Sequence, residues 1–280
     1  MGPAELRAHY RRYGAAEGRP CTSIVSRADF LALLPLAGSM LEIGPFCTPA
    51  PLSGRSGTLR YLDIMPTAAL REAASALPWA DPSKVPEIDY VWHGEPYRAL
   101  IGERFDTIFS SHCIEHQPCL VSHLADIASV LTPGGRVFMV VPDHRFAFDH
   151  FVSATTMVDV LEAYAAGRRT HGPRSVIAQH LLQTHNDPRA HWAGDHGTPG
   201  PDATDPALAN HIAAALTAAL GAAREPGLPY DLHAWQFTPE SFRDLFDRLA
   251  TAGMSPFRIE RLYPTPRGRG EFWAVLRIAA

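Results

Sequence analysis

Lysine is nearly absent: Lys84 is the only one in 280 residues, and arginine carries the rest of the basic charge. There is no basic excess either. The net charge of −4 argues against a dedicated nucleic-acid binder, which needs a clustered positive surface for phosphates. Cysteine is scarce. Cys21, Cys47, Cys113 and Cys119 form no C-x-x-C pair, and so few, so scattered, do not suggest a disulfide framework. A reduced, cytoplasmic setting is expected. No apolar run approaches the roughly 18 residues of a membrane span, so no membrane association is expected. Residues 1–18 are charged and lack the apolar centre of a secretory signal. What is present suits a folded chain. It is 46% hydrophobic and 19% charged, which excludes a mainly disordered protein. Its length supports a core without disulfides or structural metals, as one large domain or one domain with a sizeable insertion.

The pattern along the chain alternates. Residues 4–13 and 26–34 read as short helices, the second with Ser26 as N-cap and Pro35 as stop. Short strands are expected at 39–43, 59–64, 105–110 and 136–141, with a further candidate at 87–91. Helices are expected at 68–76 and 120–131, with a turn at Thr132-Pro133-Gly134-Gly135. Alternating strands and helices at this spacing imply a mainly parallel sheet covered on both faces. The alternation then pauses. Residues 147–232 read as an insertion with helices near 155–166 and 206–223 and a polar, histidine-rich stretch between them; a loop that long needs its own structure. Thr238 and Pro239 then start a helix ending at Gly253. Residues 257–263 and 271–278 follow as an antiparallel hairpin. Four segments result: N-terminal helices 1–36, an α/β core 37–146, a lid insertion 147–232, and the rest of the core 233–280.

Two elements point to a nucleoside cofactor. In Leu41-Glu42-Ile43-Gly44-Pro45 a buried strand breaks at glycine, where a ligand can approach the backbone. In doubly wound sheets the crevice lies at the carboxyl ends of strands. Asp63 ends the next strand about twenty residues on, where a carboxylate accepts hydrogen bonds from ribose hydroxyls. Each alone is an ordinary loop feature; their spacing favours the cofactor. A dehydrogenase is the weaker reading, since Pro45 removes a backbone donor that a pyrophosphate would use.

The order of these motifs resembles the class I S-adenosylmethionine-dependent methyltransferases, of the methyltransferase type 11-like kind. Leu41–Gly44 is similar to their first motif, Asp63 to the ribose-binding acid, residues 105–111 to strand four, and Leu131-Thr132-Pro133-Gly134-Gly135 to the turn before strand five. The closing helix and hairpin are similar to the reversed last strand of that fold. The resemblance covers residues 37–146 and 237–279. It implies an α/β, Rossmann-like seven-stranded sheet with an antiparallel last strand and a helical insertion after strand five. It also implies S-adenosylmethionine as cofactor, S-adenosylhomocysteine as product, and Glu42, Gly44, Pro45, Asp63, Ile64, His93, Gly94, Ser111 and His112 around them. The chain departs from the pattern in two places. The glycine-rich loop is reduced to Gly44 between prolines, an "EIGP" form associated with small-molecule and sugar tailoring. His93 stands where the family often has an acid facing adenine.

The acceptor side is read from three clusters. His112 follows strand four and can act as general base or merely shape the pocket. Glu115 and His116 read as capping charges of the next helix. After strand five come Asp143, His144, Arg145, Asp149 and His150 among aromatics. This pattern suggests a substrate or metal pocket, with His144 a further base candidate and Arg145, Asp149 and His150 the expected substrate contacts. A divalent metal there is the lesser alternative to a hydrogen-bonded hinge. His171, His180, His185, His191 and His196 lie within 26 residues without zinc-site spacing, so a polar lid is preferred and no metal ligand is assigned. His233 is the second base candidate, and Trp235 is an aromatic wall or a core plug. The expected function is methylation of a small-molecule acceptor, preferably a sugar or natural-product hydroxyl. The rivals are a displacement within S-adenosylmethionine itself, a metal-dependent oxygenase on the same fold, and a non-catalytic binding protein. The N-terminal helices and the insertion each offer a surface for a homodimer contact.

Overall fold

The apolar runs become one sheet. In the computed structural model, which describes residues 5, 8–14, 22–51, 53–224 and 232–278, β1 (Met40–Ile43), β2 (Leu59–Asp63), β3 (Tyr90–Val91), β4 (Phe105–Ser111) and β5 (Leu131–Pro142) pair in parallel. β6 (Phe257–Tyr263) and β7 (Glu271–Ile278) complete the sheet. The spatial order is β3-β2-β1-β4-β5-β7-β6. β7 slots between β5 and β6 and runs against both. β1 lies between β2 and β4, so the chain changes direction across the sheet there. That is where a doubly wound sheet opens a crevice at its carboxyl edge.

Side-chain alternation builds two cores. Val137, Met139 and Val141 of β5 face one side, packed with helix α4 (Leu120–Val130) and the closing helix α9 (Pro239–Thr251). Phe138 and Val140 point to the other side, where Phe30 of α1 (Arg27–Leu31) stacks on Trp273 at 5.9 Å. Period two along a strand requires this division. The caps fall where expected: Ser26 and Asp29 form a capping box on α1, and Thr238 and Ser241 do so on α9 with Pro239 in its first turn.

Several expected boundaries are corrected. The helix over 26–34 closes already at Leu31. Of the helix over 4–13, residues 5, 8 and 9 are helical and Tyr10–Gly14 is a wider π turn; the rest lies outside the described residues. The strand over 87–91 is only two residues long. The Ile88 amide donates to Thr67 Oγ1 at 2.9 Å and its side chain packs beside Leu70 and Val85 of a third core, so neither is available to the sheet. The Thr132–Gly135 turn is a bulge inside β5: Leu131 pairs with Phe105 and Arg136 with Thr107, so four residues are looped out against one. The insertion holds more helix than expected. Beside α5 (Met157–Ala165) and α8 (Leu208–Arg224) it contains α6 (Pro173–Leu182) and the short α7 (Pro188–Trp192). Short helices α2 (Thr67–Ser75) and α3 (Tyr97–Leu100) complete the set. Among the described residues no helix is long and apolar enough to cross a membrane.

One buried group sets an acid limit on this fold. His123, inside α4, is buried beside Tyr97, and burial pushes its imidazole down to about 3. An imidazole is neutral in the fold but protonates near 6.5 when unfolded. Its contribution to stability is therefore complete above about 6.5 and is lost as pH falls from there toward 3, by about 1.4 kcal/mol per pH unit. Chemical denaturation between pH 7 and 4 is expected to show a shallower loss in His123→Gln than in the parent. Equal slopes would remove His123 from the account.

Candidate cofactor and acceptor site

At the end of β1 the backbone turns sharply. Gly44 has φ +68 and donates its amide to the Leu62 carbonyl at 2.8 Å. An added Cβ would find Cys113 at an ordinary 3.7 Å, so conformation rather than space selects glycine here. Two residues on, Phe46 takes φ +42, a costly setting for an aromatic residue. The loop then folds back until the Ala50 amide donates to both oxygens of Glu42, at 3.0 and 3.2 Å. Glu42 is buried, and burial pushes its carboxyl up to about 8 against the Ala50 hydrogen bond and the Arg27 charge.

Asp63 ends β2 beside this loop. Burial raises its carboxyl, while the Ile64, Met65 and Phe46 amides pull it down; the Ile64 bond is 2.7 Å. The carboxylate thus ties the ends of β1 and β2 together. Its two oxygens offer about four acceptor positions in all, so beside the three amides it retains about one for a hydroxyl donor. Ile64 beside it is an exposed apolar side chain. Beyond β3, the His93 amide donates to Glu95 at 3.0 Å, Gly94 takes φ +104, and Arg169 of the insertion donates to the Gly94 carbonyl at 2.6 Å.

β4 leads to the other half. Ser111 accepts a hydrogen bond from Arg27. His112 has φ +50. Its Nε2 lies 2.9 Å from Glu271 Oε2 and its Nδ1 3.6 Å from Glu115 Oε1. Burial would raise the Glu271 carboxyl, but the His112 hydrogen bond and the Arg27 charge hold it below the usual range. Glu115 and His116, expected as charges at a helix start, sit instead in the 3-10 turn Ile114–His116, and Glu115 is 0% exposed. Its backbone carbonyl accepts the Ala234 and Trp235 amides at 2.7 and 3.2 Å, which stitches the segment before α9 onto the end of β4. That stitch delivers His233: its Nδ1 is 2.9 Å from Asp149 Oδ2 and its Nε2 3.8 Å from Glu115 Oε1. His112 and His233, far apart in sequence, thus converge on Glu115.

The remaining candidates are placed differently. His144 is outside this cluster; burial lowers its imidazole, opposed mainly by Asp149. Arg145 is clamped by Asp143 at 2.6 and 2.8 Å, and Asp143, wholly buried, also accepts from Thr265 at 2.6 Å. His150 Nδ1–H donates to the Arg145 carbonyl, 2.7 Å away, and the ring stacks on His196 at 3.9 Å. Trp235 is buried, with its ring N–H on the Gln117 carbonyl at 2.5 Å. It still borders, with Asp149 and His233, a cavity of about 90 Å³ whose far wall is Arg168, Arg174 and Gln179 of the insertion. The histidine-rich stretch gathers too: His150, His191 and His196 bring ring nitrogens within 4.8 Å of one another. Glu115 was the residue sequence reasoning missed. The signal available was a carboxylate placed between two histidines directly after a buried strand.

Protein-family models give no match to the chain, and curated proteins give none. Solved structures do share its chain path. The CcbJ methyltransferase from Streptomyces caelestis is 14% identical, with 94% of this chain and 92% of that one covered at a TM-score of 0.44. The 1,6-didemethyltoxoflavin-N1-methyltransferase from Burkholderia thailandensis is 16% identical, with 100% and 92% covered at 0.41. A protein from Rhodobacter sphaeroides, assigned provisionally to the Zn-dependent alcohol dehydrogenases, is 13% identical, with 94% and 92% covered at 0.47. Likenesses this loose carry no assignment of activity. The strand order does the deciding: five parallel strands closed by a β7 that runs backwards between β5 and β6 give this chain the Rossmann-like fold of the class I S-adenosylmethionine-dependent methyltransferases.

Proposed function

We propose that the chain is an S-adenosylmethionine-dependent methyltransferase acting on a small-molecule acceptor, with a sugar or natural-product hydroxyl as the methylated group. The observation that carries this reading is the pairing of Gly44 and Asp63 on adjacent strand ends, beside the reversal point of the sheet. The fit is chemical. The left-handed Gly44 opens the backbone, the Asp63 carboxylate takes a ribose hydroxyl, and exposed Ile64 offers an apolar surface to the base. Glu42, Pro45, His93, Gly94 and Ser111 complete this side. S-adenosylmethionine, when bound, supplies a methyl group on a sulfonium.

The residues of the chain position the acceptor and take its proton. His112 is the proposed base. Its side chain is 40% exposed, and Glu271 holds its Nε2, which leaves Nδ1, 3.6 Å from Glu115 Oε1, as the lone-pair nitrogen. Alignment supplies much of the rest of the acceleration. Residues 147–232 would act as the lid, with Asp149, His150 and Trp235 at the acceptor and Arg145 setting the hinge through Asp143. A homodimer and a cytoplasmic setting belong to the same reading.

The test is product analysis. Incubation with S-adenosylmethionine and a panel of glycosylated, phenolic and amine acceptors is expected to yield a methylated product and S-adenosylhomocysteine in equal amounts. Methylthioadenosine as the by-product would replace methylation by internal displacement.

A further inference from the structure

Glu115 poses an electrostatic problem. Its carboxylate has no exposed surface, and neither oxygen receives a hydrogen bond among the described residues. Burying a charge in that state is costly unless a positive partner sits with it. Three imidazole nitrogens surround Oε1: His116 Nε2 at 3.5 Å, His112 Nδ1 at 3.6 Å and His233 Nε2 at 3.8 Å. These distances are long for hydrogen bonds. They are close to the separation of two ligands on one ion: bonds of about 2.0–2.2 Å at tetrahedral or octahedral angles put neighbouring donor atoms roughly 3.0–3.5 Å apart.

The surroundings orient the donors in the same sense. Asp149 holds His233 Nδ1 at 2.9 Å, which makes Nε2 the lone-pair nitrogen and turns it to Glu115. A carboxylate behind a histidine is the usual support of a metal-bound imidazole. The His116 and His233 rings meet at 82° with centroids 4.8 Å apart, so they converge on a shared point rather than stack. The ligand atoms of Glu115, His116 and His233 lie within 4.8 Å of one another. The second histidine group is poorer in this respect, because His150 and His196 lie face to face at 3.9 Å.

The geometry points to a divalent transition-metal site built by Glu115, His116 and His233, with Asp149 as the positioning residue for His233. Two imidazoles and one carboxylate suit zinc, iron(II), manganese(II) or cobalt(II) rather than calcium or magnesium. Three protein ligands leave a position open. If the methyltransferase reading holds, that position is where an acceptor hydroxyl would bind; the ion site itself does not depend on that reading.

The experiment uses the full chain after chelator treatment, titrated with cobalt(II) and followed by visible absorption. One equivalent is expected to produce ligand-field bands. Glu115→Gln and, separately, His116→Asn are expected to abolish them, and Asp149→Asn to weaken cobalt binding about 10- to 100-fold. His191→Asn, in the other histidine group, is expected to leave them unchanged. Circular dichroism identifies a variant that has not folded, and the more exposed His116 then decides in place of Glu115. The inference is overturned if the parent shows no bands, or if the bands survive in folded His116→Asn and vanish in His191→Asn. Titration of the metal-free parent with S-adenosylhomocysteine, run in parallel, separates failure of the ion site from failure of the cofactor reading.

Discussion

Asp63→Ala is expected to weaken S-adenosylhomocysteine binding by about 10- to 100-fold, measured by calorimetric titration against the parent. The size follows from what the carboxylate does. A ribose hydroxyl donating to the remaining acceptor position of this buried charge contributes about 1.5–3 kcal/mol, and each 1.4 kcal/mol is roughly tenfold. A second effect adds to this. The Asp63 carboxylate accepts the Phe46 and Ile64 amides, so its removal also frees the loop carrying Gly44, which holds Phe46 at φ +42. Asp63→Asn keeps one acceptor oxygen and loses the charge; a loss of about tenfold is expected for it. The thermal midpoint of each variant separates loop loosening from lost ligand contacts. Parent-like affinity in a folded Asp63→Ala protein would remove the ribose site, and the methyltransferase reading would lose its main support.

The position of Asp63 at the end of β2 is legible in sequence because it depends on local facts: a strand, a break, an acid and a spacing. The same holds for the caps at Ser26 and Thr238 and for the closing hairpin, whose two apolar runs are separated by a short turn. The third strand is shorter than expected because the run Glu87-Ile88-Asp89 does not reveal that Thr67 captures the Ile88 amide. α6 and α7 were read as a polar stretch because histidines, arginines and asparagine hide the apolar pattern. Their starts were nevertheless marked by Pro173 and by Asp187-Pro188, proline in a first turn being the usual signal. Of the cluster on Glu115, sequence offers only the run His112, Glu115, His116 and not its meeting with Asp149 and His233. The cluster needs residues 112–116, 149 and 233 in one place, and what assembles them is a pair of amides, from Ala234 and Trp235, on one carbonyl. Backbone hydrogen bonds of that kind leave no trace in residue type.

His112→Asn is expected to lower kcat about 10²- to 10⁴-fold while leaving S-adenosylhomocysteine affinity within a few fold of the parent. Asparagine is the informative choice because residue 112 sits at φ +50, a conformation asparagine tolerates better than most residues. The backbone at the end of β4 is then kept, along with the 3.0 Å bond from the residue 112 amide to Val140. What is lost is an imidazole able to accept a proton at Nδ1 while Glu271 holds Nε2. Glu271→Gln tests that division of labour. Glutamine can still accept from Nε2 through its carbonyl, so His112 stays oriented, but the imidazolium that forms on proton transfer loses its counter-charge. An intermediate fall in kcat is expected, with KM for the acceptor little changed. If His112 only shaped the pocket, both variants would raise KM and spare kcat. A fall in kcat confined to His112→Asn, with Glu271→Gln at parental rate, would keep the base and discard Glu271 as its support. Unchanged kcat in His112→Asn would move the acceptor's proton to another group, and the Glu115 cluster, 3.6 Å away, is the nearest destination.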